Sequence, residues 1–274
     1  MMKKNKLTGI ALMFALLTSF LGSLTAQVAT QERDVSSFSG VHNKTSADIF
    51  LTKGDAVTVM VKADEDAIDK ITTRVEDGVL VIGSTQDGWR NVKVMEVHIT
   101  MPKLDVVKCS GSGDMMTEGT FPGTDVFVGI NGSGDLNLNL DARNLELKIN
   151  GSGDLVLSGV RGKMEIGISG SGDVLAENLQ LDVCEVSIRG SGDVKLKGKA
   201  AKLILKQSGS GDVNAYALES AEVIAKSYGS GDAVVNAAER IEANISGSGD
   251  LSYYGSPEYV DVESKGSGEV YRKK

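Results

Sequence analysis

One tetrapeptide, Gly-Ser-Gly-Asp, recurs through the C-terminal two thirds of the chain at nearly constant spacing. Its first glycine returns every 18 to 21 residues, and only the last of the nine copies replaces Asp by Glu. A period near 20 residues is typical of stacked supersecondary units. The copies begin at Gly111, Gly132, Gly151, Gly170, Gly190, Gly209, Gly229, Gly247 and Gly266.

Residues on both sides of each turn alternate between apolar and polar. Before the third copy, Leu145, Leu147 and Ile149 stand two residues apart, with Glu146 and Lys148 between them. This period of two predicts strands with one buried face. The turn alone would allow antiparallel hairpins, but identical turns in register favour coils stacked in parallel. We therefore predict an all-β fold, a single-stranded right-handed parallel β-helix with stacked Gly-Ser-Gly-Asp turns.

The turn residues themselves carry two expectations. Glycine is expected to supply positive φ, and each acid is expected to accept hydrogen bonds from nearby backbone amides. In-register stacking would also place the carboxylates roughly 5 Å apart, which raises the alternative of weak Ca²⁺ sites. We favour turn acids and predict no metal or cofactor, because Ca²⁺ prefers six or more oxygens and each coil offers one carboxylate. The acid ladder is Asp114, Asp135, Asp154, Asp173, Asp193, Asp212, Asp232, Asp250 and Glu269.

Three segments follow from these patterns. Residues 1–26 have the layout of a secretory signal peptide, with early lysines, an apolar stretch at Ile10–Leu17 and a cleavage site after Ala26. Residues 27–103 are predicted to form a β-rich lead-in that caps the solenoid, with a short helix at Asp64–Ile71. Residues 104–274 are predicted to form a nine-coil β-helix. We expect an exported protein of the periplasm, cell surface or extracellular space, without a transmembrane segment.

The net charge, the positions of the cysteines and the charges at the C-terminus carry three further predictions. The net charge of −8 disfavours nucleic acid, because phosphate binding needs a basic patch. Cys109 and Cys184 fall on inward positions four coils apart, roughly 19 Å, so both are predicted to be unpaired, buried thiols. Arg272, Lys273 and Lys274 place charge on the last coil, a common protection against pairing between strand edges.

Several segments resemble one known family. They are Arg-Asp-Val-Ser-Ser-Phe-Ser-Gly-Val at 33–41, Thr-Met-Pro-Lys-Leu at 100–104, Gly-Ile-Asn at 129–131 and the turns themselves. From residue 33 onward the chain resembles the secreted bacterial proteins called putative auto-transporter adhesin, head GIN domain. The resemblance implies a right-handed parallel β-helix similar in shape to pectin-lyase-type solenoids. It also implies a role in adhesion and no established catalytic residues.

Two functions from different classes remain open. A non-catalytic binding or adhesion module is favoured, and a glycan-active enzyme of pectin-lyase-like shape is the alternative. The chain has only two histidines. His98 is predicted to point outward beside Glu96, and Arg189 near Asp193 is more typical of a charge at a turn edge. The repeats thus show no acid–base cluster of the kind that catalysis needs.

All six tyrosines lie between Tyr216 and Tyr271. Tyr216, Tyr254 and Tyr271 are predicted on outward positions after the turns, and Tyr228 on an outward position before one. Exposed tyrosine binds sugar rings and protein surfaces, although tyrosines could instead cover the edge of a terminal coil. We predict that these four residues bind a surface glycan or an envelope protein. A homo-oligomer is a further expectation, because the outward residues Met116, Val156, Leu175 and Val234 make one face unusually apolar.

Overall fold

The structure is a computed structural model that describes residues 27–85, 89 and 92–274. The expected signal peptide at 1–26 lies outside the described residues. Nineteen strands and one 3-10 helix, Ile68–Lys70, make up the regular structure of these residues. The strands are β1 (Val28–Glu32), β2 (Gly40–Asn43), β3 (Asp48–Lys53), β4 (Thr58–Asp64), β5 (Ile71–Glu76), β6 (Val79–Ser84), β7 (Met95–Met101), β8 (Val106–Cys109), β9 (Met115–Glu118), β10 (Phe121–Ile130), β11 (Leu136–Ile149), β12 (Leu155–Ile168), β13 (Val174–Ile188), β14 (Val194–Gln207), β15 (Val213–Ser227), β16 (Ala233–Ile245), β17 (Leu251–Tyr254), β18 (Tyr259–Ser264) and β19 (Val270–Arg272).

Parallel pairing between successive coils confirms the predicted all-β solenoid. Each coil has a first wall, formed by the strand segment before its Gly-Ser-Gly turn, and a second wall, formed by the segment after it. The strands β11 to β16 run from the second wall of one coil around a bend into the first wall of the next. β11 pairs with β12 in parallel from Leu136 opposite Leu155 to Ile149 opposite Ile168. Register shifts at the bend show where the looser turn lies.

The core is a narrow set of apolar rows between the two walls. One row runs through Leu147, Ile166, Val186 and Leu205, which are at most 1% exposed. Each of these residues pairs with its counterpart one coil away. Burial of such rows stabilises the solenoid at about 25 cal/mol per Å² of apolar surface.

The turn glycines are required for a different reason from the one expected. Glycines with positive φ occur at residues 78, 119, 159, 162, 198 and 255, and none of these belongs to a Gly-Ser-Gly turn. The positive-φ expectation is therefore wrong. A Cβ on Gly172 would lie 2.1 Å from the carbonyl oxygen of Gly153 in the preceding coil. Glycine is needed because the backbone of the neighbouring coil occupies the space of a side chain.

The stack of turns extends into the N-terminal region, where the tetrapeptide is absent. β2 and β3 pair in parallel with β8 and β9, and Ser112 N–H donates to the carbonyl of Thr45 at 3.1 Å. On the other side of β2 and β3 lie β6 and β7. β5 and β4 then pair antiparallel with β6 and β7, and β1 pairs antiparallel with β4. The division at residues 103 and 104 stays a prediction, and these hydrogen bonds cross it.

The short helix expected over Asp64–Ile71 is mostly absent. Its place is taken by a turn and the three-residue 3-10 helix. The buried Asp64 ends β4, and its Oδ2 accepts the N–H of Lys93 at 2.8 Å. Ile68 and Ile71 are both buried. One tight turn places Ile68 in the core and leads directly into β5, whose first residue is Ile71.

Candidate binding surface

The acid ladder is bonded to the backbone of the solenoid. The Oδ1 of each acid up to Asp250 accepts the backbone N–H of the acid in the next coil. Asp173 Oδ1, for example, accepts the N–H of Asp193 at 2.8 Å. Nine such bonds of 2.7–3.0 Å run from Asp48 to Glu269. The ladder thus begins at Asp48, one coil before the first tetrapeptide.

This geometry matches turn acids that satisfy backbone amides. Each bond links two coils, so the ladder holds the turn edge in register in addition to the β-sheet hydrogen bonds. Among the described residues, no group of three or more His, Cys, Asp or Glu side chains is placed to hold a metal ion. The hydrogen bonds between coils give the ladder a structural role.

A shallow groove of about 600 Å³ follows the acid ladder along the second wall. Its floor is the outward row that comes two residues after each acid, with Val156, Leu175, Lys195, Asn214 and Val234. Val156 is 44% exposed. Three of the four apolar residues expected on this face, Val156, Leu175 and Val234, thus line the groove together with Lys195 and Asn214.

Two of the predicted binding residues meet on the second wall. The rings of Tyr216 and Tyr254 make an edge-to-face contact with centroids 4.4 Å apart. Asn236 of the intervening coil pairs with Tyr254, and its Nδ2 donates to the carbonyl of Tyr216 at 3.3 Å. Tyr216 is 51% exposed. The strand pattern predicts that both residues point outward, but the contact across an intervening coil is visible only in three dimensions.

The other two predicted residues lie elsewhere. Tyr271 is exposed on the same wall in β19, paired with Ser252 of β17. Tyr228, the most exposed tyrosine at 61%, stands just before its turn and lines a separate open cavity of about 620 Å³. That cavity lies on the turn edge among serines such as Ser210 and Ser230. Three of the four tyrosines therefore lie on the second wall, two of them in contact, and the fourth lies on the turn edge.

The two remaining tyrosines do not join either group. Tyr253 points into the core and is 9% exposed. Tyr259 lies on the first wall, where the Arg240 guanidinium sits 3.8 Å from the centre of its ring.

The histidines lie on opposite walls and are each held by a local partner. On the second wall, the His98 ring stacks on Phe50 at 4.7 Å and its Nε2 lies 2.8 Å from Glu96 Oε2. That hydrogen bond lowers the pKa of the Glu96 carboxyl. On the first wall, His42 Nε2 lies 2.9 Å from Ser110 Oγ, and burial lowers the pKa of this histidine. The two imidazoles thus cannot serve one reaction centre.

The fold and these surfaces define the class of protein: a parallel β-solenoid whose Gly-Ser-Gly-Asp turns stack along one edge and whose outer walls are open. The chain belongs to the family described as putative auto-transporter adhesin, head GIN domain. The family model matches residues 37–197 and 189–257, which agrees with the resemblance seen in the sequence.

Solved structures agree on the fold. A putative adhesin of Parabacteroides distasonis superposes with a TM-score of 0.72 and 22% identity, over 90% of this chain and 98% of that one. A putative adhesin of Parabacteroides merdae gives a TM-score of 0.69 and 22% identity, over 90% and 97%. A protein of Parabacteroides distasonis described as a putative lipid binding protein gives 0.65 and 24%, over 90% and 97%. No curated protein matches the chain.

Within residues 27–85, 89 and 92–274, no helix has the length and apolar character to cross a bilayer.

Proposed function

We propose that this protein is an exported, non-catalytic adhesion module that binds a surface glycan or an envelope protein through Tyr216, Tyr228, Tyr254 and Tyr271. The observation that carries the proposal is the Tyr216–Tyr254 pair, two aromatic rings in contact with each other on an open wall. Membership of an adhesin family supports the same class of function.

The physical basis is pre-organisation. A tyrosine on a β-wall loses little conformational freedom when it binds, because the strand already fixes its backbone and the neighbouring ring restricts its side chain. The ring offers an apolar face to a sugar or a protein side chain, and the hydroxyl offers a hydrogen bond. Tyr271 extends the same surface toward the last coil, and Tyr228 offers a second contact point on the turn edge.

The alternative function, a glycan-active enzyme, finds less support. General acid–base catalysis needs titratable groups within hydrogen-bond reach of one substrate position. His42 and His98 face opposite directions, and the Oδ1 of each repeat acid except Glu269 already accepts a backbone amide of the next coil.

The test compares binding on an array of surface glycans and immobilised envelope proteins. The Tyr216→Ser/Tyr254→Ser double variant should lose about thirtyfold or more in affinity for the probes that the parent binds, since aromatic anchors carry about 2 kcal/mol or more. Tyr259→Ser, which removes a similarly exposed tyrosine from the opposite wall, is the matched control and should bind normally.

Further outcomes bear on the rest of the proposal. Loss of binding in Tyr228→Ser but not in the double variant would move the site to the turn edge and contradict the role of the pair. Chemical conversion of a bound glycan would overturn the non-catalytic assignment. Cell fractionation that finds the protein in the cytoplasm would overturn export.

A further inference from the structure

The two ends of the solenoid are closed by different strands, although the outermost strands at both ends keep one unpaired edge among the described residues. At the N-terminal end, β5 pairs antiparallel with β6, and β4 and β1 continue beyond β7. At the other end, β18 pairs only with β16 and β19 only with β17 among the described residues. The last coil therefore presents unpaired backbone donors and acceptors on both walls, which is a ready template for further strand pairing.

Apolar side chains are exposed at the same end. Val260 and Val262 continue the inward rows of Ile241 and Ala243, with which they pair. Ile241 and Ala243 are 0% and 4% exposed, whereas Val260 and Val262 are 46% and 40% exposed. The contrast shows that these valines lack the covering layer that every earlier coil has. Exposed core positions of this kind favour a partner that completes the stack.

The charges on the two edges are opposite in sign. β18 carries the exposed acids Asp261 and Glu263, while β19 and the residues after it carry Arg272, Lys273 and Lys274. Glu263 is paired with Lys265 at 3.0 Å, and Lys273 Nζ lies 5.7 Å from the Tyr271 ring. The basic residues therefore oppose pairing between two basic edges, whereas the acidic edge on one wall and the basic edge on the other favour pairing of unlike edges.

Two copies can meet end to end in two ways that keep two-fold symmetry. An axis perpendicular to the walls places β18 against β18 of the other copy, so that acids face acids. An axis parallel to the strands exchanges the walls and places β18 antiparallel to β19 of the other copy. Asp261 and Glu263 then face the basic segment at both contacts, and such an interface is self-complementary.

We propose that the open end formed by β18 and β19 is a self-association surface, on which a second copy docks end to end with its β19 beside β18. The contact continues both β-walls across the interface and covers Val260 and Val262. Six residues of strand span roughly 20 Å, so the interface is smaller than those of most permanent complexes. We therefore expect a reversible dimer that forms as concentration rises.

Sedimentation velocity of the full exported chain, at concentrations up to roughly 1 mM where small interfaces associate, tests the proposal. The parent should shift from monomer to dimer. Asp261→Lys/Glu263→Lys makes both edges basic, and Lys273→Glu/Lys274→Glu makes both acidic. Each variant alone should dissociate at least tenfold more readily. An equimolar mixture of the two should dimerise again, which shows that neither variant is misfolded.

Two further measurements test where the contact lies on the chain and how the two copies are arranged. The control variant Glu146→Lys/Asp182→Lys makes the same change of charge in the middle of the solenoid, and it should dimerise like the parent. Carbodiimide cross-linking of mixed ¹⁴N and ¹⁵N protein should join Asp261 or Glu263 to Lys273 or Lys274 in peptides of mixed isotope. A parent that stays monomeric, variants that dimerise unchanged, or links of single isotope only would each overturn the proposal.

Discussion

Replacing Gly172 by alanine should destabilise the solenoid more than its single added methyl group suggests. The new Cβ would lie 2.1 Å from the Gly153 carbonyl oxygen, whereas carbon and oxygen ordinarily stay about 3.3 Å apart. The turn must therefore move by about 1 Å. On either side, Ser171 N–H donates to Gly151 O at 3.0 Å and Asp173 N–H donates to Asp154 Oδ1 at 2.8 Å.

A movement of that size stretches both hydrogen bonds beyond useful length. Because these turn residues are exposed, losing one or two such bonds costs about 1–3 kcal/mol. For a chain of this size the melting temperature should fall by roughly 2–12 °C. Circular dichroism and calorimetry measure the drop, and amide hydrogen exchange should show that protection is lost first near this turn.

Gly167→Ala is the matched control, because it makes the same substitution in the same coil. A Cβ at Gly167 would meet only Leu147 O at 3.7 Å, an ordinary contact. This variant should be neutral or more stable by up to about 1 kcal/mol, because alanine restricts the unfolded chain. Ser171→Ala should also be nearly neutral, since its side chain is exposed. Equal melting temperatures for Gly172→Ala and Gly167→Ala would refute the steric argument.

Three further predictions concern buried and bonded groups. Ser227 Oγ is buried without a hydrogen-bond partner, so Ser227→Ala should raise stability by about 1 kcal/mol in denaturant unfolding, and a loss would contradict this. Asp173→Ala should cost about 1 kcal/mol more than Asp173→Asn, which keeps an acceptor for the Asp193 amide. Burial raises the pKa of the Cys184 thiol from 9.0 to about 12, so the stability present below pH 9 should fall as pH rises toward 12, by about 1.4 kcal/mol at pH 10. Cys184→Ala should remove that part of the pH dependence.

The position of each cysteine within its repeat was enough to predict its state. Both thiols are free and buried. Cys109 pairs with Ile130 in the row next to the turn, and Cys184 pairs with Met164 two rows further from it. Counting residues from each turn was enough to predict that the two cysteines lie too far apart for a disulfide, because every coil repeats the same inward positions.

The tetrapeptide and its period determined the fold by themselves. Repeated units must bury the same apolar face against each other, so Leu147 and its counterparts could be placed in the core without coordinates. The outward direction of Tyr216 and Tyr254 followed from the same period of two.

Other features needed the tertiary structure, because they depend on contacts between coils rather than on the pattern within one. The spacing of stacked backbones, and not positive φ, decides why Gly172 must be glycine. The coil of β2 and β3 contributes Asp48 to the ladder without the tetrapeptide. Tyr216 and Tyr254 meet across an intervening coil, and only the end of the stack exposes Val260 and Val262. Sequence periodicity specifies which side a residue faces, and three-dimensional stacking decides what that residue touches.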